Sequence, residues 1–238
     1  YRLCLSTFYD FDIIAQTGSS AGLTSIEQSA SINDVGRVAF LGTTSTQDIY
    51  VGDGSSLAGI GESLVSASRT FGRELQINNN NQVAAVDILV GSTVFRSARI
   101  YDADSPGSPA RIARGSSPLV SSDDFDSIGG FTSINDDNQV AFAGLQSTVW
   151  DIHLSDSLVN RGDFFSNVAT FSTGTFFRQM AADGDRVVTG TRDWATKRIS
   201  LYDITGKDAY MAIASTASGD WLDLGVRPGI SDDGDIVT

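Results

Sequence analysis

The string Ser31-Ile32-Asn33-Asp34-Val35-Gly36-Arg37-Val38-Ala39-Phe40 returns almost unchanged as Ser133-Ile134-Asn135-Asp136-Asp137-Asn138-Gln139-Val140-Ala141-Phe142. Looser copies stand at Ile77-Asn78-Asn79-Asn80-Asn81-Gln82-Val83-Ala84-Ala85 and at Ile230-Ser231-Asp232-Asp233-Gly234-Asp235-Ile236-Val237, and a worn one at Met180–Val188. The Asn positions lie 45 and then 57 residues apart. The worn copy near Ala182 follows after 47, and Ser231 after a further 49. Self-similarity at such periods marks a repeat architecture, and repeats of four strands run about 40 to 50 residues.

Each copy reads as strand, turn, strand. Asn, Asp and Gly tolerate the backbone of a tight turn, and in the run that follows Val38 and Phe40 share one face while Arg37 and Ala39 share the other. A third run comes next, at 47–51, 97–101, 149–154 and 198–202. Turn residues separate it from a fourth, at 57–61, 110–115, 158–162 and 210–214. Four antiparallel strands per repeat predict a propeller blade.

Blades are expected at about 24–65, 70–117, 125–165 and 170–216, in one domain spanning 1–238. Ile13-Ile14-Ala15-Gln16-Thr17-Gly18 resembles the fourth run of the other repeats, and 221–238 carries only an inner pair. Residues 1–18 are therefore expected to supply the outer strands of a closing blade. The prediction is an all-β, five-bladed β-propeller, closed by N-terminal outer strands pairing with C-terminal inner strands, which removes the exposed edges.

Composition narrows the partners. The net charge is −13 and the sequence pI is about 4.3. Nucleic-acid binding needs a basic stripe against phosphate, so this balance opposes it, as it opposes docking on an anionic membrane. No run of about 20 apolar residues could span a bilayer, so no membrane insertion is expected. Cys4 has no internal partner and reads as a small core residue in a strand. The chain opens on Tyr1, which fits a processed chain.

Candidate chemistry is sparse. The single histidine, His153, alternates with Asp151 on one strand face, where a carboxylate could orient the imidazole. Its place on a third strand predicts an ordinary surface or interblade histidine. Acidic turns occur at 102–104, 121–126, 135–138 and 232–235. Hard oxygen ligands at close spacing suit calcium, and Asp123, Asp124 and Asp126 form the densest candidate site. The inner runs 28–32 and 129–133 are small and hydroxylated, with no carboxylate to form an acid–base pair on the axis. Trp150, Trp194 and Trp221 could stack on sugar rings, but they do not occupy matching positions in the repeats.

The strings Asn33-x-x-Gly36-x-x-x-Phe40 and Asn135-x-x-Asn138-x-x-x-Phe142 resemble the tandem Asn-x-x-Gly-x-x-x-Phe repeats of a family of bacterial exported proteins with varied C-terminal anchors. That resemblance implies export and a propeller-like repeat domain, and it supplies no catalytic residues. The expectation is a secreted or cell-surface binding or structural module, not an enzyme, with an unnamed protein or glycan as partner. The alternatives are a carbohydrate-binding lectin and a glycoside hydrolase-like enzyme on the propeller axis. No cofactor is expected apart from the calcium ion considered above.

Overall fold

The computed structural model describes residues 12–19, 21–61, 69–117, 125–155, 165–171, 176–183, 186–193, 196–203, 210–215, 229–230 and 236–237. Among them there is no helix. Four antiparallel sheets of four strands follow one another along the chain. The first holds β1 (Ser25–Ile32), β2 (Val38–Thr43), β3 (Gln47–Gly52) and the short β4 (Leu57–Gly59). The second holds β5 (Arg69–Ile77), β6 (Gln82–Val90), β7 (Val94–Asp102) and β8 (Ala110–Ser117). The third holds β9 (Ser127–Ile134), β10 (Val140–Gln146), β11 (Val149–Ser155) and β12 (Phe165–Phe171). The fourth holds β13 (Phe176–Asp183), β14 (Arg186–Asp193), β15 (Thr196–Asp203) and β16 (Tyr210–Ser215), and a hairpin of β17 (Gly229–Ile230) and β18 (Ile236–Val237) follows.

Each innermost strand packs on the next, β1 on β5, β5 on β9, β9 on β13 and β13 on β17. This is a β-propeller-like arrangement. The run expected at 158–162 lies outside the described residues. The third sheet extends to Phe171, past the expected boundary at 165, and the fourth begins at Phe176. Residues 12–16 run without regular secondary structure ahead of a turn at Thr17 and Gly18.

The repeated motif is the turn between the first two strands of a sheet, and its residues divide the labour. In each of the first three copies the leading Asn accepts, through Oδ1, the N–H four residues on: Asn33 from Arg37, Asn78 from Gln82 and Asn135 from Gln139, all at 2.9 Å. The residue three after the Asn takes the left-handed backbone, with φ of 82° at Gly36, 59° at Asn81 and 63° at Asn138. Gly and Asn are the residues that adopt this region at least cost, which is why they alternate there.

Turn geometry leaves the amide group of the leading Asn uncommitted, and it crosses to the next sheet. Asn33 Nδ2 donates to the Asn78 carbonyl and to Asn81 Oδ1, both at 3.0 Å. Asn78 Nδ2 donates to the Asn135 carbonyl and to Asn138 Oδ1, both at 2.9 Å. The following position repeats the pattern at the surface. The Asp34 N–H donates to Asn79 Oδ1 and the Asn79 N–H to Asp136 Oδ1, each at 2.8 Å. The motif therefore does more than shape a turn. It ties the first sheet to the second and the second to the third with the same bonds.

Register explains the worn copy. Ile32 pairs with Val38, Ile77 with Val83, Ile134 with Val140 and Ile230 with Ile236, so a five-residue connection recurs in four hairpins. In the fourth sheet Asp183 pairs with Arg186 across a two-residue connection. That turn has no room for the motif, and Asn135 Nδ2 donates within its own turn to Gln139 Oε1 at 2.8 Å.

The core lies between sheets. In β6, Val83 and Ala85 face the first sheet with Leu41, Ile49, Val51, Phe71 and Tyr101. Ala84 and Val86 face the third sheet with Ile100, Ile112, Phe125, Ile128 and Phe142. Both faces of this strand are apolar because both are covered, as expected for a sheet sandwiched between two others. Small residues set the spacing: a Cβ on Gly72 would lie 2.7 Å from the Gly130 carbonyl oxygen in the third sheet.

Candidate functional site

Of the three candidate calcium ligands only Asp126 is among the described residues. Asp123 and Asp124 lie outside the described residues, as do Cys4, Trp194 and Trp221. The Asp126 carboxylate accepts the N–H of Ser147, a residue held at φ 58° in the two-residue turn between β10 and β11. It thus braces a strained hairpin. The turn at 102–104 is similarly engaged: Asp102 Oδ1 accepts the N–H groups of Asp104 and Ser105, while Asp104 receives Arg37 and Asn81. Those two donors hold the Asp104 carboxyl below the usual carboxylate range. Among the described residues no three His, Cys, Asp or Glu side chains converge as metal ligands.

His153 is buried, 5% exposed, with its ring stacked on Phe142 at 5.5 Å and set 4.8 Å from Phe125. Burial pushes the imidazole down to about 4, against the attraction of Asp151. It is a neutral core residue at neutral pH, on the third-sheet side of the junction with the second sheet.

A cleft opens instead on the face of the second sheet that looks toward the first. Strand pairing builds it. Asp87 stands opposite Ser97, and Ser97 opposite Arg114. Leu89 stands opposite Phe95, and a bulge between Ala98 and Arg99 brings Arg99 opposite Arg111. These seven residues line a cavity of about 190 Å³. The inner half of the same face is sealed by Val83, Ala85 and Tyr101. Farther out, the described residues of the first sheet offer only β4, three residues long beside the eight of β8.

Asp87 anchors the cleft. Arg69 reaches it with two parallel bonds, Nε to Oδ1 at 2.5 Å and Nη2 to Oδ2 at 2.7 Å, and both side chains are almost fully buried. Such a bidentate pair is the strong form of the interaction. Arg99 Nε lies 3.1 Å from Asp87 Oδ2 as an ion pair without hydrogen-bond alignment. The Arg114 guanidinium sits over the Phe95 ring at 4.2 Å, which fixes its plane. Asp48 of the first sheet lies close enough to feel Arg69. Burial nevertheless raises its carboxyl to about 6, against the hydrogen bonds of Ile49 and Gly61.

Whole-chain charge conceals this site. Six of the fourteen arginines fall between positions 69 and 114, in a chain of net charge −13. A charge profile along the sequence would not have singled out the second repeat, because the fourth, at 170–216, carries the same slight excess of cations over carboxylates. The bulge that aligns Arg99 with Arg111 leaves no signal either.

A family model matches residues 11–221. The chain belongs to a family of unknown function, DUF7453. No curated protein sequence matches it. Among solved structures, an oligogalacturonate lyase in complex with manganese is similar at a TM-score of 0.50 and 13% identity, over 82% of this chain and 54% of that one. A lectin of Aleuria aurantia in complex with alpha-methyl-L-fucoside gives 0.49 and 13%, over 87% and 67%. A Trypanosoma rangeli sialidase gives 0.48 and 11%, over 85% and 41%. The chain thus spans about half the length of the lyase.

The likeness to the lyase corrects one expectation. Absence of catalysis was read from inner runs without carboxylates, but the same architecture serves an enzyme in oligogalacturonate lyase. Chemistry on such a fold is set by the site and not by the fold, so the composition of two inner strands does not decide the question. No specific activity follows from the likeness.

Proposed function

We propose that this DUF7453 protein is a ligand-binding module of the propeller type, and that its ligand seat is the cleft on the second sheet. The observation that carries this reading is the cleft itself. It gathers Phe95, Arg99, Arg111 and Arg114 around a buried, doubly bonded Asp87 on a face that is otherwise closed by the core. Concave sites with a few placed polar groups and an apolar wall are where small ligands bind. Crystals soaked in a mixed panel of neutral and acidic monosaccharides test the seat. Occupancy in the cleft is expected, and occupancy confined to other surfaces would reject it.

The module is proposed to work outside the cell, on the resemblance of its Asn-x-x-Gly-x-x-x-Phe strings to those of exported repeat proteins. Five blades are proposed to close into a ring, with residues 1–18 completing the β17–β18 hairpin. Ile32 supports this. It is 67% exposed, whereas its counterparts Ile77 and Ile134, at 3% and 1%, are buried against a preceding sheet. Removal of residues 1–18 should lower the melting temperature or cause association; an unchanged monomer with an unchanged melting temperature would rule closure out.

A further inference from the structure

We infer that the cleft takes the anionic end group of its ligand, an oxyanion such as a sugar carboxylate or a phosphate monoester. The inference rests on the cleft being the ligand seat. Arg99 and Arg111 stand directly opposite one another across β7 and β8, and like charges in that position repel. The carboxylate beside them, Asp87, is 7% exposed at its side chain and already holds Arg69 through both oxygens. Arg99 receives only its unaligned contact, and Arg111, at the exposed end, has no carboxylate partner among the described residues. An oxyanion between Arg99 and Arg111 would turn this repulsion into two charge-assisted contacts, and the guanidinium fork matches the geometry of carboxylate and phosphate.

Size and surroundings narrow the ligand further. At about 190 Å³ the cleft is smaller than the roughly 300–1,000 Å³ of sites that enclose a drug-sized molecule. It therefore fits an end group better than a whole chain. Leu89, 43% exposed, lines the cleft and offers an apolar surface for the ligand body. The Phe95 ring holds Arg114 in place beside the seat, so little ordering remains to be done on binding.

Calorimetric titration of the whole chain with D-glucuronate, D-glucose and inorganic phosphate tests the inference. Glucuronate or phosphate should bind and glucose should not. Binding should weaken at about 1 M salt, where the screening length falls to about 3 Å. Arg111→Gln should weaken it about tenfold or more, and Arg111→Lys should recover part of the loss. Because Arg111 is exposed, both variants should melt as the parent does. Binding of glucuronate alone identifies a carboxylated sugar as the source, and binding of phosphate alone identifies a phosphate ester. Glucose binding as tightly as glucuronate, with the same loss in Arg111→Gln, would overturn the anion while leaving the seat. Anion binding that Arg111→Gln leaves intact, or no binding of either anion, would overturn the inference outright.

Discussion

The two faces of the second sheet begin alike and end differently. At the inner end both junctions carry the same relay, Asn33 into Asn78 and Asn78 into Asn135, over the same alternation of small apolar residues. Toward the outer strands the face on the third sheet stays closed. Ile112 and Ala113 meet Phe125 and Phe142 there, His153 is stacked on Phe142, and Arg96 reaches across to the Ile128 carbonyl at 3.2 Å. The face on the first sheet opens into the arginine cleft. One strand pattern serves both. Side chains alternate between faces, so the residues of the sealed side and of the open side are interleaved along β6, β7 and β8. A repeat built for stacking has kept one face for packing and left the outer half of the other free for chemistry.

The sharpest way to break the comparison is at the shared inner end. Asn33→Ala and Asn78→Ala each strand buried hydrogen-bond partners in two sheets. Each should cost about 3 kcal/mol in denaturant unfolding, with the two equal to within about 1 kcal/mol. A large inequality would show that the junctions differ at the inner end as well. Next in size is Gly72→Ala, which drives a Cβ onto the Gly130 carbonyl oxygen in the closed junction. It should destabilise by about 1–3 kcal/mol, as overpacking does, without weakening ligand binding in the cleft.

Acid should separate the two faces through opposite signs. His153 has a folded value of about 4, below the ordinary 6.5, so its share of stability is present above 6.5 and is lost as pH falls toward 4. Asp48 has a folded value of about 6, above the ordinary 3.8, so its protonation adds stability as pH falls from 6 toward 4. The two offset each other in that window. Asp48→Asn should steepen the acid loss of melting temperature and His153→Gln should flatten it, and a profile unmoved by both would contradict the burial of these groups. The smallest stability effect belongs to the cleft. Arg111→Gln should change unfolding by less than about 0.5 kcal/mol, as exposed substitutions do, while weakening ligand binding about tenfold or more.

The fold was largely legible because the motif is repeated. Asn33, Asn78 and Asn135 set the period, and Gly36, Asn81 and Asn138 marked the left-handed position in each turn. The fourth sheet was only half legible, since a two-residue connection at Asp183 and Arg186 does not need the motif that marks the other turns. The bonds between sheets were not legible, because a turn Asn and a bridging Asn are the same letter. Nor was the cleft. Arg99, Arg111 and Arg114 come together through strand register and a bulge, and bulge positions leave no mark in the spacing. In the acidic turns that are described, Asp102, Asp104, Asp126 and Asp136 serve as acceptors that hold turns and neighbouring sheets, a role the sequence did not show.

The central claim is that the open outer half of the first junction, and not the closed second one, receives the ligand. Amide shift mapping during titration with D-glucuronate tests it most directly. Saturable shifts are predicted, centred on Phe95, Ser97, Arg99, Arg111 and Arg114, and in Arg111→Gln they should need about tenfold or more ligand to saturate. Shifts centred on the opposite face, at Ile112, Phe125 and His153, or shifts that persist unchanged in Arg111→Gln, would contradict it.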